Sequence, residues 1–134
     1  NLNIIGSGSC VDIIESYAKK TNNVTYRSEI SNKEVSEVLA KSRALIHPSK
    51  WYEGQPTIIL EAMLNNTPVL SSDISFIETF DKHNEIDTFK SGNSLELSKL
   101  IEIYMDEKGF DIQKRKWEDF SINFFNKKDY QINF

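Results

Sequence analysis

Through its first 72 residues the chain alternates short apolar runs with segments of helical spacing, and that alternation constrains the fold more than any other feature. Leu2–Ile5 reads as a buried strand stopped by Gly6-Ser7-Gly8; Val11, Ile14, Tyr17 and Ala18 then recur at helical spacing, which predicts a helix over roughly Ser9–Lys20. Thr21–Asn23 is a turn, and Val24–Tyr26 is β-branched and aromatic enough for a second strand. Ser31 or Asn32 can cap the next helix, with Glu34 in its first turn and Val35, Val38 and Leu39 on one face. Ala44–Ile46 is the third strand, ended by His47-Pro48-Ser49. Pro56 suits the first position of a helix that Asn65-Asn66 closes as a left-handed cap, and Pro68–Ser71 is the fourth strand. Strand, helix, strand, helix at this pace predicts an α/β fold, a Rossmann-like parallel sheet with helices on both faces.

Beyond Ser72 the pattern weakens. Ile74–Phe80 predicts a short helix and Ile86–Phe89 a small edge strand. Ser94–Lys108 predicts an amphipathic helix with Leu97, Leu100, Ile101 and Tyr104 inward and Gly109 after it. A last helix is expected over Asp111–Asn126, with Trp117, Phe120 and Phe124 on one stripe. There is no internal repeat or interdomain linker, and 134 residues suffice for one domain with its own core.

Composition removes several classes of function. A formal net charge of −4 and a sequence pI of about 5.2 argue against a nucleic-acid partner. The single cysteine, Cys10, excludes an intramolecular disulfide and a cysteine metal cluster and favours a reducing compartment. His47 and His83 are too few for a zinc site, so no metal is expected, and no apolar stretch approaches the length of a membrane span. The start at Asn1, almost directly on an apolar strand, reads as the cut end of a longer protein.

In parallel sheets ligands bind at the carboxyl ends of the strands, in the loops that lead into helices. Gly6–Gly8, Ser28–Ile30 and Lys50–Gln55 all fall at such ends and are expected to converge on one edge. The third is the richest. Glu61 is the only ionisable residue in a short apolar helix, and Glu53, eight residues earlier, lies in a Gly-containing loop beside that helix's free N–H groups. An anion seat with a carboxylate before it and another a turn deeper suits something carrying phosphates and hydroxyls. Thr57, Glu61 and Asn65 also fall at i, i+4 and i+8, a polar stripe that can simply face water. Spacing alone leaves both readings open and slightly favours water.

The flanking residues add a resemblance. Ile4-Ile5-Gly6-Ser7-Gly8, Ser31–Leu39, Pro48-Ser49, Glu53-Gly54-Gln55-Pro56, Leu60-Glu61-Ala62-Met63 and Thr67–Asp73, with Glu78 beyond, resemble the nucleotide-sugar-binding half of the GT-B glycosyltransferases, specifically the retaining family 4. The resemblance covers Asn1 to about Glu78 and implies that residues 1–134 are one partial Rossmann-like donor-binding domain. It implies that Glu61 binds the ribose hydroxyls, and that Glu53 contacts the transferred sugar and stabilises positive charge near its ring. Amides around Gln55, Thr57 and Ile58, in the Gly54–Pro56 loop and the helix start, would receive the diphosphate or sugar. Gly6, Gly8, Ser28, Glu29 and Ile30 would lie around the base. The partners implied are a nucleoside-diphosphate sugar and, through a domain absent from this chain, a glycan or lipid acceptor, with no metal or other cofactor. The implied setting is cytoplasmic, peripheral to the inner face of a membrane.

The chain departs from the family pattern in places. Arg27-Ser28-Glu29 stands where a glycine is usual, and Asn65-Asn66 replaces a small-Gly turn. The Arg and Lys that clamp the diphosphate in the family lie upstream of a strand like Leu2–Ile5. This chain alone is therefore expected to be inactive, and its aromatic terminal helix to promote self-association. Two rival readings stand beside this one. Gly6-Ser7-Gly8 after a strand, with Glu29 downstream, suggests a nicotinamide dinucleotide site, although Val11 occupies the third glycine's place. Trp117, Phe120, Phe124, Tyr130 and Phe134 suggest a non-catalytic interaction module, although such a stripe more often closes a core. Lys114-Arg115-Lys116 is read as solvated, His47 as structural and Cys10 as a packing residue.

Overall fold

The computed structural model describes residues 1–52, 54, 56–74 and 86–126. Its parallel strands and helices make the expected α/β fold, in two compact units, Asn1–Glu37 and Val38–Phe134.

The first unit holds β1 (Leu2–Ile5), α1 (Val11–Ala18), β2 (Val24–Arg27) and the start of α2 (Asn32–Ala40). β1 and β2 run parallel in the register Leu2↔Val24 through Ile5↔Arg27, with α1 as the crossover between them. α1 is shorter than the spacing predicts, and Tyr17 is exposed where an inward position was expected; Val11, Ile14 and Ala18 are the less exposed stripe. α2 opens with a reciprocal capping box. Glu34 N donates to Ser31 Oγ at 3.3 Å, and Ser31 N and Oγ donate to Glu34 Oε2 at 2.9 and 2.7 Å. The Ser31 amide, then its hydroxyl, and then the Arg27 guanidinium hold the Glu34 carboxyl below its ordinary range. A depressed native pKa means the box contributes above the ordinary carboxylate range and is lost as pH falls through the lowered value.

The second unit carries β3 (Leu45–His47), α3 (Thr57–Leu64), β4 (Val69–Ser72), β5 (Asp87–Phe89), α4 (Ser94–Met105) and α5 (Glu107–Asn126). β3, β4 and β5 form a three-stranded parallel sheet in that order, with Leu45↔Val69 and Leu70↔Asp87 in register. β4 is central among them and buried along its whole length, as a strand covered on both faces should be. The expected edge strand near Ile86 is β5. The core gathers Ile59, Ala62 and Met63 of α3, Val69 and Leu70 of β4, Phe89 of β5, Tyr104 of α4, and Trp117 and Phe120 of α5. The Tyr104 hydroxyl donates to Asp87 Oδ2 at 2.8 Å; burial, then that carboxylate, push the phenol well above its ordinary pKa and keep it a donor.

α3 ends in a full Schellman motif. Asn66 N donates to Met63 O at 3.0 Å and Thr67 N to Ala62 O at 2.8 Å, with Asn66 at φ +53°, the left-handed cap expected from Asn65-Asn66. Pro56 stands one position outside the helix instead of opening it. Its ψ of 112° is extended, so Thr57 is the first helical residue. The predicted helix over Ile74–Phe80 lies, from residue 75 on, outside the described residues, as do Glu78, Tyr130, Phe134 and the side chain of Phe124.

The boundary between the last two helices differs most from expectation. α4 stops at Met105, and Asp106, with ψ 131°, ends it and caps α5: Gly109 N donates to Asp106 Oδ2 at 2.7 Å and Phe110 N to Asp106 O at 2.8 Å. Gly109 is thus in the first turn of α5 instead of beyond α4. Its glycine is required by close approach, since a Cβ there would stand 2.5 Å from Ile103 O. Arg43 secures the joint, donating from Nη1 to Tyr104 O and Met105 O at 3.0 and 3.1 Å while its guanidinium carbon lies 5.1 Å from the centre of the Phe110 ring. Gly109→Ala is expected to cost about 1–3 kcal/mol, because a backbone oxygen must move to admit the methyl group. Chemical denaturation checks it, and a neutral or stabilising substitution contradicts the close approach.

Candidate functional site

In the second unit the residues singled out for function gather where β3 passes into α3. The entry is well fixed. His47 Nδ1 lies 3.3 Å from Ser71 Oγ, its registered neighbour across the β3–β4 pair, and Ser71 Oγ donates to Ser72 O at 3.2 Å. With the serine proton so used, the geometry suits the His47 tautomer that carries its proton on Nδ1. Ser72 Oγ donates to Ser49 O at 2.6 Å and Ser91 Oγ reaches the same carbonyl at 3.4 Å. Ser49 Oγ in turn accepts from Trp51 N at 3.4 Å and donates to Trp51 O at 3.3 Å. His47 is buried here, as its structural reading expected.

Lys50, Trp51, Tyr52 and Gly54 are exposed, and Pro56 is buried. Pro56 has no side-chain donor or acceptor with which to cap α3; Ile59 N takes Pro56 O at 3.1 Å, and the Thr57 and Ile58 amides find no acceptor among the described residues. Thr57 is exposed and Ile58 half-buried. Glu61, one turn in, is half-buried, and its carboxylate makes no hydrogen bond or ion pair among the described residues. The stripe of Thr57, Glu61 and Asn65 therefore faces open solvent only at its first member. Glu53 and Gln55, the remaining expectations in this loop, lie outside the described residues.

In the first unit the structure brings the Gly6–Gly8 turn beside Ser28–Ile30. Gly6 N donates to Arg27 O at 3.1 Å and Ser28 O at 2.8 Å, Tyr26 Oη donates to Gly6 O at 2.8 Å, and Ser7 Oγ donates to Glu29 Oε1 at 3.3 Å. Gly6 sits at φ +136°, a conformation that only glycine adopts without strain. A Cβ added at Gly6 or Gly8 would meet nothing within 4 Å, so both backbones are open to approach. Ser28 and Glu29 are exposed and Ile30 half-buried, and Cys10 is exposed at the start of α1 instead of packed.

Sequence reasoning missed Ser72 and Ser91. The available signal was the pair Ser71-Ser72 at the end of a strand otherwise fit for complete burial, where a hydroxyl must find a partner. Among the described residues no group of three or more His, Cys, Asp or Glu could hold a metal ion, and no helix is long and apolar enough to cross a membrane.

Comparison with known proteins bears on the fold and the family. A search of curated proteins finds no match. Among solved structures the chain is similar to Alr3699/HepE of Anabaena in complex with UDP-glucose, at a TM-score of 0.74 and 17% identity over 92% of this chain and 36% of that one. It is similar also to WaaG, a glycosyltransferase involved in lipopolysaccharide biosynthesis, at a TM-score of 0.69 and 19% identity over 90% of this chain and 33% of the other. TarM gives a TM-score of 0.71 and 20% identity over 94% of this chain and 25% of its own. At these identities the likeness is one of fold, shared with GT-B glycosyltransferases, and the chain spans only about a quarter to a third of those proteins. The family described as glycosyl transferases group 1 matches residues 1–123, nearly the whole chain, and the protein belongs to it.

Proposed function

We propose that this chain binds a nucleoside-diphosphate sugar as the donor part of a retaining GT-B glycosyltransferase of family 4, being the nucleotide-sugar-binding, carboxy-terminal half of such an enzyme. The observation that carries the reading is the amino end of α3, whose first amides find no acceptor among the described residues, with half-buried Glu61, without a side-chain partner among them, one turn behind it. The Thr57 and Ile58 amides and the helix dipole supply positive potential for the diphosphate without a metal ion. Gly54, Gln55 and Pro56 bring the chain to that end. Glu61 accepts from the ribose hydroxyls, as an ionised carboxylate can only accept. For the first unit the family resemblance implies contact with the base by Gly6, Gly8, Ser28, Glu29 and Ile30.

In transfer the bond from the sugar's anomeric carbon to the diphosphate oxygen breaks, and its electron pair leaves with the diphosphate. Glu53 holds hydroxyls of the sugar and offsets the positive charge that grows on the ring. An acceptor hydroxyl, from a glycan or lipid bound outside this chain, closes on the same face, its oxygen bonding the anomeric carbon while its proton passes to the departing diphosphate oxygen. This chain by itself is expected not to turn over.

Calorimetric titration with a panel of nucleoside-diphosphate sugars, beginning with UDP-glucose, and with a nicotinamide dinucleotide tests the reading. Heat of binding is expected for at least one sugar nucleotide and none for the dinucleotide. The opposite pattern overturns it.

A further inference from the structure

We infer that Ser72 is a positioning residue for donor transfer, its buried hydroxyl holding the Ser49 carbonyl and thereby the start of the loop that enters α3. The inference rests on the donor-binding reading above.

Ser49 is where the chain leaves the sheet. β3 ends at His47, so nothing in the strand ladder restrains the backbone of Ser49. Side chains contribute two restraints on its carbonyl. Ser72, completely buried at the end of β4, donates to Ser49 O over 2.6 Å, and Ser91, just beyond β5, reaches the same oxygen from further off. One carbonyl thus takes hydroxyl donors from residues at the carboxyl ends of two other strands, and both of its lone pairs are engaged. The donors are held as well. Ser71 Oγ bonds Ser72 O and lies against His47 Nδ1, while Ser91 N donates to Asp73 Oδ1 at 2.6 Å. His47, Ser71, Ser72 and Ser49 are linked in a polar chain across the β3–β4 pair, and Ser72 carries it forward to the start of the loop.

From Ser49 the chain has four exposed described residues, Lys50, Trp51, Tyr52 and Gly54, before buried Pro56. Those described residues bury little that could fix their path, which makes anchored Ser49, bonded in turn to Trp51, the nearer hold on Lys50–Tyr52. α3 is anchored independently by Ile59, Ala62 and Met63 in the core and by its Schellman cap. Removing the Ser72 hydroxyl should therefore loosen the loop and leave the helix in place. Donor affinity, which rests on α3, should change little; the alignment of groups carried by the loop should suffer.

The test compares Ser72→Ala with Thr67→Val in the natural polypeptide that carries this chain. Thr67 is equally buried in the same unit, and its Oγ1 donates to Leu39 O at 2.8 Å, away from the loop. Ser72→Ala is expected to lower kcat for sugar transfer about ten- to hundredfold, with the KM for the donor shifted by no more than about threefold. Thr67→Val is expected to lose comparable thermal stability and keep its kcat. Hydrogen exchange should accelerate at the Lys50–Tyr52 amides in Ser72→Ala alone. Ser91→Ala, which removes the longer bond, should move kcat and exchange in the same direction by less, and it decides the matter if Ser72→Ala does not fold. Equal kcat for Ser72→Ala and Thr67→Val overturns the positioning role. If the wild-type protein binds no sugar nucleotide, the donor reading falls, and the exchange measurement decides separately whether Ser72 holds the loop.

Discussion

Trp117→Ala is expected to destabilise the second unit by about 3–5 kcal/mol. Trp117 is 2% exposed, and its ring centre lies 5.4 Å from that of Phe120 at a tilt of 52°, so the substitution leaves an indole-sized gap where α5 meets the core. The position has a second property. Neither Trp117 Nε1 nor Ser121 Oγ, one turn on, has a hydrogen-bond partner among the described residues. A buried donor without a partner costs about 1–3 kcal/mol, which Trp117→Phe would recover while keeping most of the apolar volume. Urea unfolding should therefore separate the two variants widely, with phenylalanine near wild type and alanine far below. A loss under about 1 kcal/mol for alanine would mean that α5 does not close this core.

What the sequence revealed, and what it hid, divides by the range of the interactions involved. Where the strands and helices fall along the chain, the Ser31 cap with Glu34 in the first turn of α2, and the left-handed Asn66 depend on neighbours a few residues apart, and each could be read directly. Gly109 shows how local reading fails. A glycine after an amphipathic run signals a helix end, yet here Asp106 ends α4 and the glycine is needed because Ile103 O comes within 2.5 Å of where its Cβ would be. Nothing in the spacing encodes that approach. Pro56 misled more mildly, because its fixed φ suits a helix while its ψ of 112° is extended and leaves it one position outside.

The candidate site divides in the same way. That loops at carboxyl strand ends would carry it followed from the alternation of elements. The pairing of Ser7 with Glu29, 22 residues apart, is consistent with that rule. The roles came from the family resemblance and not from spacing, since Thr57, Glu61 and Asn65 fitted a solvent stripe slightly better. The hydroxyl bonds on Ser49 were out of reach altogether. Serines at strand ends are common, and only the fold shows that Ser72 and Ser91, 23 and 42 residues away, meet the same carbonyl.

Glu61→Ala is expected to weaken binding of the sugar nucleotide about ten- to hundredfold while leaving the folded state as stable as before, or slightly more so. A hydrogen bond to an ionised group is worth about 1.5–3 kcal/mol, and each 1.4 kcal/mol is about a factor of ten in affinity. A carboxylate spanning two ribose hydroxyls makes two such bonds, though part of their worth is offset by stripping water from the group. Stability should not fall, because the half-buried carboxylate makes no hydrogen bond or ion pair among the described residues and carries a desolvation cost that alanine lacks. Alanine is also the stronger helix former. Glu61→Gln keeps the shape but presents one acceptor oxygen in place of two, and should fall between alanine and wild type. Calorimetry with the preferred donor gives the affinities, and thermal melts without donor give the stabilities. The two measurements must move apart. A variant that melts early yet binds normally would make Glu61 part of the scaffold, and the polar stripe on α3 would be a face turned to water after all.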